Sequence, residues 1–322
     1  MPSLPKRFLR VALLAALLHQ PAAAQAGEVA LTFDDLPGLS LSGQRGVDQA
    51  YVEKYNRDLL AGLRRHRAPA IGFVNEGKLK GFKGTAGVAL LRGWLRAGMD
   101  LGNHTYSHES LNTLGAARFE ADVVKGEHWT RLLLARRGER LEWFRYPNLE
   151  TGTTPADKLH VAGWLAERGY RSAPVTIDPD DWEFAEPYDA AVLHHDLAGQ
   201  ARIRAEYLDH SARVIDWSRR AARALFDRDI PYVVLLHDSR LNADCIDSVA
   251  SLFEQRGLKF VSLDRAMNDP AYGTPDPYVG DYGIEWLERW SMALHRDLPW
   301  DDFPDVPAEI QASYDKLESD RN

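Results

Sequence analysis

Acid–base and metal-ligating residue types gather in five short segments, each at the end of an apolar run. Thr32-Phe33-Asp34-Asp35-Leu36-Pro37 sets two carboxylates side by side. Neighbouring like charges are costly unless a cation or a proton intervenes; alone, the pair reads as a solvated loop start or a helix cap. Gly102-Asn103-His104-Thr105-Tyr106-Ser107-His108 follows. Histidines at i and i+4 are expected on one face of a helical turn, near enough to share a metal ion. A zinc-protease arrangement needs Glu directly after the first His; Thr105 stands there and argues against it. Thr105 and Ser107, between the two imidazoles, are candidates to brace a histidine or the loop, with surface exposure equally open. His194-His195 is adjacent rather than i, i+4, and reads as structural or solvated. Two histidines and one carboxylate with open positions for water make a hydrolytic metal site, and the second carboxylate is then available as a base. Phe144-Arg145-Tyr146-Pro147 adds a cation, Asp178-Pro179-Asp180-Asp181-Trp182 adds carboxylates and an indole, and Leu235-Leu236-His237-Asp238 adds a histidine. Singly, Arg145 fits a surface ion pair, Trp182 a core and His237 a hydrogen-bonded loop. Together, polar residues at one end of five strands are hard to explain by packing.

Strand-like runs are expected at 28–33, 70–74, 99–102, 141–145, 171–177, 232–236 and 259–262. Between them apolar residues recur at helical spacing: Val52, Tyr55, Leu59 and Leu63 form one face, and Phe119, Val123 and Leu133 contribute to another. Helices near 156–168 and 243–256 run into Gly169 and Gly257, which fit C-terminal stops. Seven β-then-α units predict an α/β fold with a parallel sheet covered by helices. A closed or nearly closed barrel of seven strands is preferred, with an open doubly wound sheet as the alternative. Barrels of this kind build active sites at the C-terminal ends of their strands, where all five segments fall. Residues 183–230 read as a long, mostly helical crossover. Residues 269–322 form a tail rich in Pro, Gly, Trp and Tyr, including Trp286, Trp290 and Trp300, whose aromatics are expected to pack on the barrel, with sugar binding as the minority role.

Length and composition suit one large domain: 322 residues, 45% hydrophobic and 27% charged. One cysteine, Cys245, excludes a disulfide framework and a zinc site built on Cys pairs. A formal charge of −8 gives no footprint for nucleic acid. The N-terminus has a basic start (Lys6, Arg7, Arg10), an apolar run from Val11 to Leu18 and a small-x-small site, Ala24-Gln25-Ala26. This pattern predicts a signal peptide over 1–26, and hence export to the periplasm or beyond the cell. The apolar run is shorter than the roughly 20 residues a bilayer span requires; no stable membrane insertion is expected. The expected organisation is a signal peptide (1–26), a catalytic domain (27–268) and the aromatic-rich extension (269–322).

The ordered set TFDD, HTYSH, FRYP, DPDDW and LLHD, from about residue 32 to 238, resembles the five motifs of polysaccharide deacetylases of the NodB-homology type, carbohydrate esterase family four. The resemblance implies a distorted (β/α) barrel. It implies that Asp35, His104 and His108 bind a divalent metal, zinc in first place with Co2+, Ni2+ or Mn2+ as alternatives. By the same resemblance Asp34 is the general base and His237 the general acid. Arg145 tunes Asp34, Asp181 tunes His237, and Trp182 and Leu235 wall a pocket for the acetyl methyl. The family's third motif commonly reads Arg-x-Pro-Tyr, whose last residue can supply an oxyanion-hole N–H; here that position is Asn148, which keeps the N–H and loses the ring. The implied activity is metal-dependent removal of N-acetyl groups from a glycan of the chitooligosaccharide or peptidoglycan type. O-acetyl ester hydrolysis on a xylan-type polymer, hydrolysis of a small cyclic amide, and a catalytically silent glycan-binding protein are the alternatives. The signal peptide speaks against the cyclic amide.

Overall fold

The computed structural model describes residues 27–39 and 47–320, so the signal peptide expected at 1–26 lies outside the described residues. The elements run β1 (Gly27–Leu36), α1 (Gln49–Arg65), β2 (Ala70–Val74), α2 (Ala86–Arg96) and β3 (Asp100–Asn103). Three short helices follow, α3 (Leu111–Leu114), α4 (Ala116–Lys125) and α5 (His128–Ala135), then β4 (Trp143–Phe144), α6 (Pro155–Glu167) and β5 (Arg171–Ser172). Next come α7 (Asp181–Leu193), α8 (Leu197–Phe226), β6 (Tyr232–His237), α9 (Arg240–Gln255), β7 (Leu258–Phe260) and α10 (Leu263–Ala266). The tail carries α11 (Trp286–Leu294) and α12 (Ala308–Ser319).

All strand pairs are parallel, in the order β5-β4-β3-β2-β1-β6, with β7 pairing the start of β1. The two ends of this sheet meet where Ile177, beyond β5, bridges Val234 of β6. The N–H of Thr176 donates to the Val233 carbonyl at 2.9 Å, and that of Leu235 to Ile177 at 2.9 Å. The fold is thus an α/β distorted barrel. β1 is buried from Val29 onward because staves flank it on both sides and helices cover its outer face. α1 starts at Asp48, whose carboxylate accepts the Tyr51 N–H at 2.8 Å, and turns Val52, Tyr55, Leu59 and Leu63 into the core.

Several boundaries differ from the expectation. The runs 141–145 and 171–177 pair as strand only over Trp143–Phe144 and Arg171–Ser172. The face containing Phe119, Val123 and Leu133 is split between α4 and α5, and the 183–230 crossover resolves into α7 and α8. In the tail, α11 lies on α8 and α12 on α7, so it covers helices more than staves. Trp286 and Trp290 are buried, whereas Trp300 is half exposed beside Trp217 and Tyr282 is exposed. No helix among the described residues is long and apolar enough to cross a membrane.

Candidate active site

Successive side chains of a strand point to opposite faces, so Asp34 and Asp35 should not share one. The β1–β2 register slips between Phe33 and Leu36, and Asp35 sits at φ 68. This irregularity turns the strand end so that both carboxylates line the same cleft. Asp34 is buried beside the Arg145 guanidinium, whose Nη1 lies 3.3 Å from Oδ2. Burial outweighs that cation and pushes the Asp34 carboxyl up to about 6. Asp35 moves the other way: burial opposes its ionisation, but Lys78, with Nζ 3.2 Å from Oδ1, and the imidazoles of His108, His237 and His104 hold it well below the usual carboxylate range.

His104 and His108 do not share a helical turn. They lie in an irregular loop after β3, in which Thr105 (φ 67) and His108 (φ 66) are left-handed. Non-glycine residues in that region each cost on the order of 1–3 kcal/mol and persist only when their surroundings fix them. Asn103 accepts the Thr105 N–H at 2.8 Å, the Thr105 hydroxyl accepts the His108 N–H at 3.1 Å, and Asn75 donates to the His104 carbonyl. Asp122 of α4 accepts from the backbone of Tyr106 and Ser107 and from the Ser107 hydroxyl. Thr105 therefore braces the loop from within, and Ser107 ties it to α4. The imidazole centroids are 4.9 Å apart. His104 Nδ1 lies 2.8 Å from the Arg145 carbonyl, which takes its proton and leaves Nε2 toward the carboxylates, 3.5 Å from Asp34 Oδ2. Burial lowers the affinity of both rings for a proton.

Arg145 is fully buried at the end of β4. Nε donates to the Ala173 carbonyl at 3.0 Å and Nη2 to the Thr32 hydroxyl at 2.9 Å, which fixes the guanidinium against Asp34. Across the cleft, Asp181 at the start of α7 accepts from His237 twice, from Nδ1 and from the backbone N–H, each at 2.7 Å. Asn242 of α9 donates to the same carboxylate and to the His237 carbonyl. Burial disfavours the imidazolium, yet Asp181 overrides it and raises His237 to about 9. A carboxylate of raised proton affinity and an imidazole held protonated thus face one cavity, the pairing that general base and general acid require.

The cleft holds about 610 Å³ and is lined by every site residue that the resemblance implies except the buried Arg145 and Asp181. Trp182, Leu235 and Asn148 stand in its wall. Asp35, His104 and His108 offer one oxygen and two nitrogens within 4.8 Å of one another. Asp35 Oδ1 is buried and accepts no hydrogen bond, Lys78 being near but out of line. An anionic oxygen beside two neutral imidazoles suits a borderline divalent cation. Sequence reasoning missed Lys78, Asn242, and the tail residues Tyr282, Gly283, Tyr314 and Glu318 that line the cleft. Lys78 and Asn242 sit in segments with no acid–base grouping of their own; an aromatic-rich tail was a signal for the others.

Residues 22–164 match the profile of the polysaccharide deacetylase family. Among solved structures, a chitin deacetylase from the fungal pathogen Colletotrichum lindemuthianum superposes with a TM-score of 0.52 at 22% identity, covering 81% of this chain and 94% of that one. A family CE4 pseudoenzyme from Bacillus anthracis gives 0.50 at 17% identity, over 76% of this chain and 66% of that one. A mutant CE4 pseudoenzyme with restored enzymatic activity gives 0.51 at 18%, over 76% and 68%. These likenesses establish the fold. A search of curated proteins gives no match.

Proposed function

We propose, from the match of residues 22–164 to the polysaccharide deacetylase family, that the protein is an exported, metal-dependent hydrolase that removes N-acetyl groups from a glycan of the chitooligosaccharide or peptidoglycan type. The observation that carries this reading is the convergence of a buried carboxylate, a protonated histidine and an Asp-His-His ligand set on one cleft. Asp35, His104 and His108 would hold a divalent cation, zinc in first place, which when bound supplies a Lewis acid for water activation and carbonyl polarisation. Asp34 accepts the proton of the attacking water, and Arg145 keeps that carboxylate oriented and ionised. His237 Nε2 gives a proton to the departing amine nitrogen, while Asp181 holds Nδ1–H and so fixes which nitrogen faces the substrate. Trp182 and Leu235 exclude water around the acetyl methyl. Asn148 supplies a backbone N–H where the family pattern places the oxyanion donor.

The fold shared with a pseudoenzyme keeps a silent glycan-binding protein as the second reading, although no ligand, base or acid is missing from this chain. Incubating the purified mature chain with chitooligosaccharides, peptidoglycan fragments and acetylxylan, with and without chelator, and assaying acetate separates the readings. Chelator-sensitive acetate from an N-acetylated substrate supports the proposal. Release from acetylxylan alone makes it an O-acetyl esterase. Glycan binding without release from any of them makes it silent.

A further inference from the structure

The loop between β4 and α6 carries Asn148 and Leu149, two consecutive non-glycine residues at φ 54. Its own turn contributes only two backbone hydrogen bonds, Leu149 to Tyr146 and Glu150 to Pro147, both at 3.1 Å. What over-determines the loop comes from the tail. Arg289 of α11 is fully buried, and its planar fork donates to the Leu149 carbonyl at 2.6 Å and the Thr151 hydroxyl at 3.0 Å. The fork is itself held by Asp276 at 3.0 Å, by the Ile284 carbonyl at 2.9 Å and by the Trp286 ring 4.1 Å below. Gly283 presses its backbone onto this loop so closely that a Cβ there would overlap the Asn148 carbonyl oxygen. Both residues lie far beyond the segment 22–164 that matches the family.

We infer that the C-terminal extension is a positioning element of the active site: Arg289 and Gly283 hold Asn148 and Leu149 in the left-handed conformation that presents them to the cleft. The catalytic half of this inference rests on the deacetylase reading; the conformational half does not. The clamp acts through the loop and not through the metal ligands, which sit on β1 and on the loop after β3.

The test uses the mature chain loaded with zinc, as wild type, Gly283→Ala, Arg289→Met and Arg289→Lys. Hydrogen exchange over 147–151 is expected to quicken about tenfold in Gly283→Ala and Arg289→Met, with β1 and β6 still protected. For N-acetylchitotetraose, kcat is expected to fall about 10- to 100-fold, because small misplacements of a reacting geometry cost that much. KM and calorimetric zinc affinity are expected to stay within about twofold, and Arg289→Lys, which keeps charge but not the fork, to fall between. Unchanged exchange in both Gly283→Ala and Arg289→Met overturns the inference, as does faster exchange with unchanged kcat. Joint loss of zinc affinity and β1 protection also overturns it, since the tail would then support the whole fold. A wild type that releases no acetate sinks the deacetylase reading alone, and exchange still decides the clamp.

Discussion

Asp34 and Asp35 are neighbours with opposite electrostatic fates. Both are buried, but Asp34 faces one guanidinium and rises to about 6, whereas Asp35 faces an ammonium and several imidazoles and falls. If the first is a base and the second a ligand, Asp34→Asn should keep zinc binding by calorimetry and lose acetate release by about 10²-fold or more. His104→Ala should lose both. Equal loss of metal in the two variants would show the roles misassigned. His237 provides the pH signature. Its proton affinity is raised to about 9, so the ion pair with Asp181 stabilises the fold fully below the ordinary value near 6.5, and that contribution disappears as pH climbs through 9. If it is the general acid it must be protonated, so the rate should decline above about pH 9. In Asp181→Asn the main support for the imidazolium is gone and only the weaker pull of Asp35 and Asp34 opposes burial, so the alkaline limb of kcat/KM should move to lower pH by more than about one unit. A limb left in place would exclude His237 as the acid. None of these values follows from residue type, because each depends on what burial places alongside.

At the scale of elements, apolar content reported burial better than pairing. The 141–145 and 171–177 runs are both largely buried, but only two residues of each enter the ladder, and the barrel closes through a single bridge at Ile177. Helix ends were easier to read, since Gly169 and Gly257 occupy left-handed positions just past α6 and α9. The histidine spacing misled for a physical reason. A four-residue interval fits a helical turn, but here two left-handed residues fold the loop and unite the same rings. One cap was invisible in the chain. Glu76, buried after β2, accepts the Trp129 and Thr130 N–H groups at the start of α5, 53 and 54 residues away. Glu76→Ala should cost about 1–2 kcal/mol, as other N-terminal caps do. Thermal unfolding at fixed zinc should register this as a melting point lower by about 2–6 °C. An unchanged melting point would remove Glu76 from the account of α5.

For the whole molecule, a cation bound only by the folded cleft must stabilise it by mass action. Zinc at a hundredfold excess over its dissociation constant should add about 2.7 kcal/mol and raise the melting temperature, and His104→Ala should abolish the shift. A wild type whose melting point ignores zinc would count against the Asp-His-His site. The residue types that gather at the cleft, the alternation of strands and helices, and the placement of the motifs at strand ends were all legible in the chain, because composition and spacing are local properties. Assembly was not. That two adjacent aspartates share a face depends on a register slip against β2, and that Asp181 meets His237 depends on α7 and β6 lying side by side. That a tail arginine sets a loop 140 residues earlier depends on the packing of α11. Periodicity along a chain says which residues will be buried; only three-dimensional closure says against what, and it is the partner that sets charge, strain and reactivity.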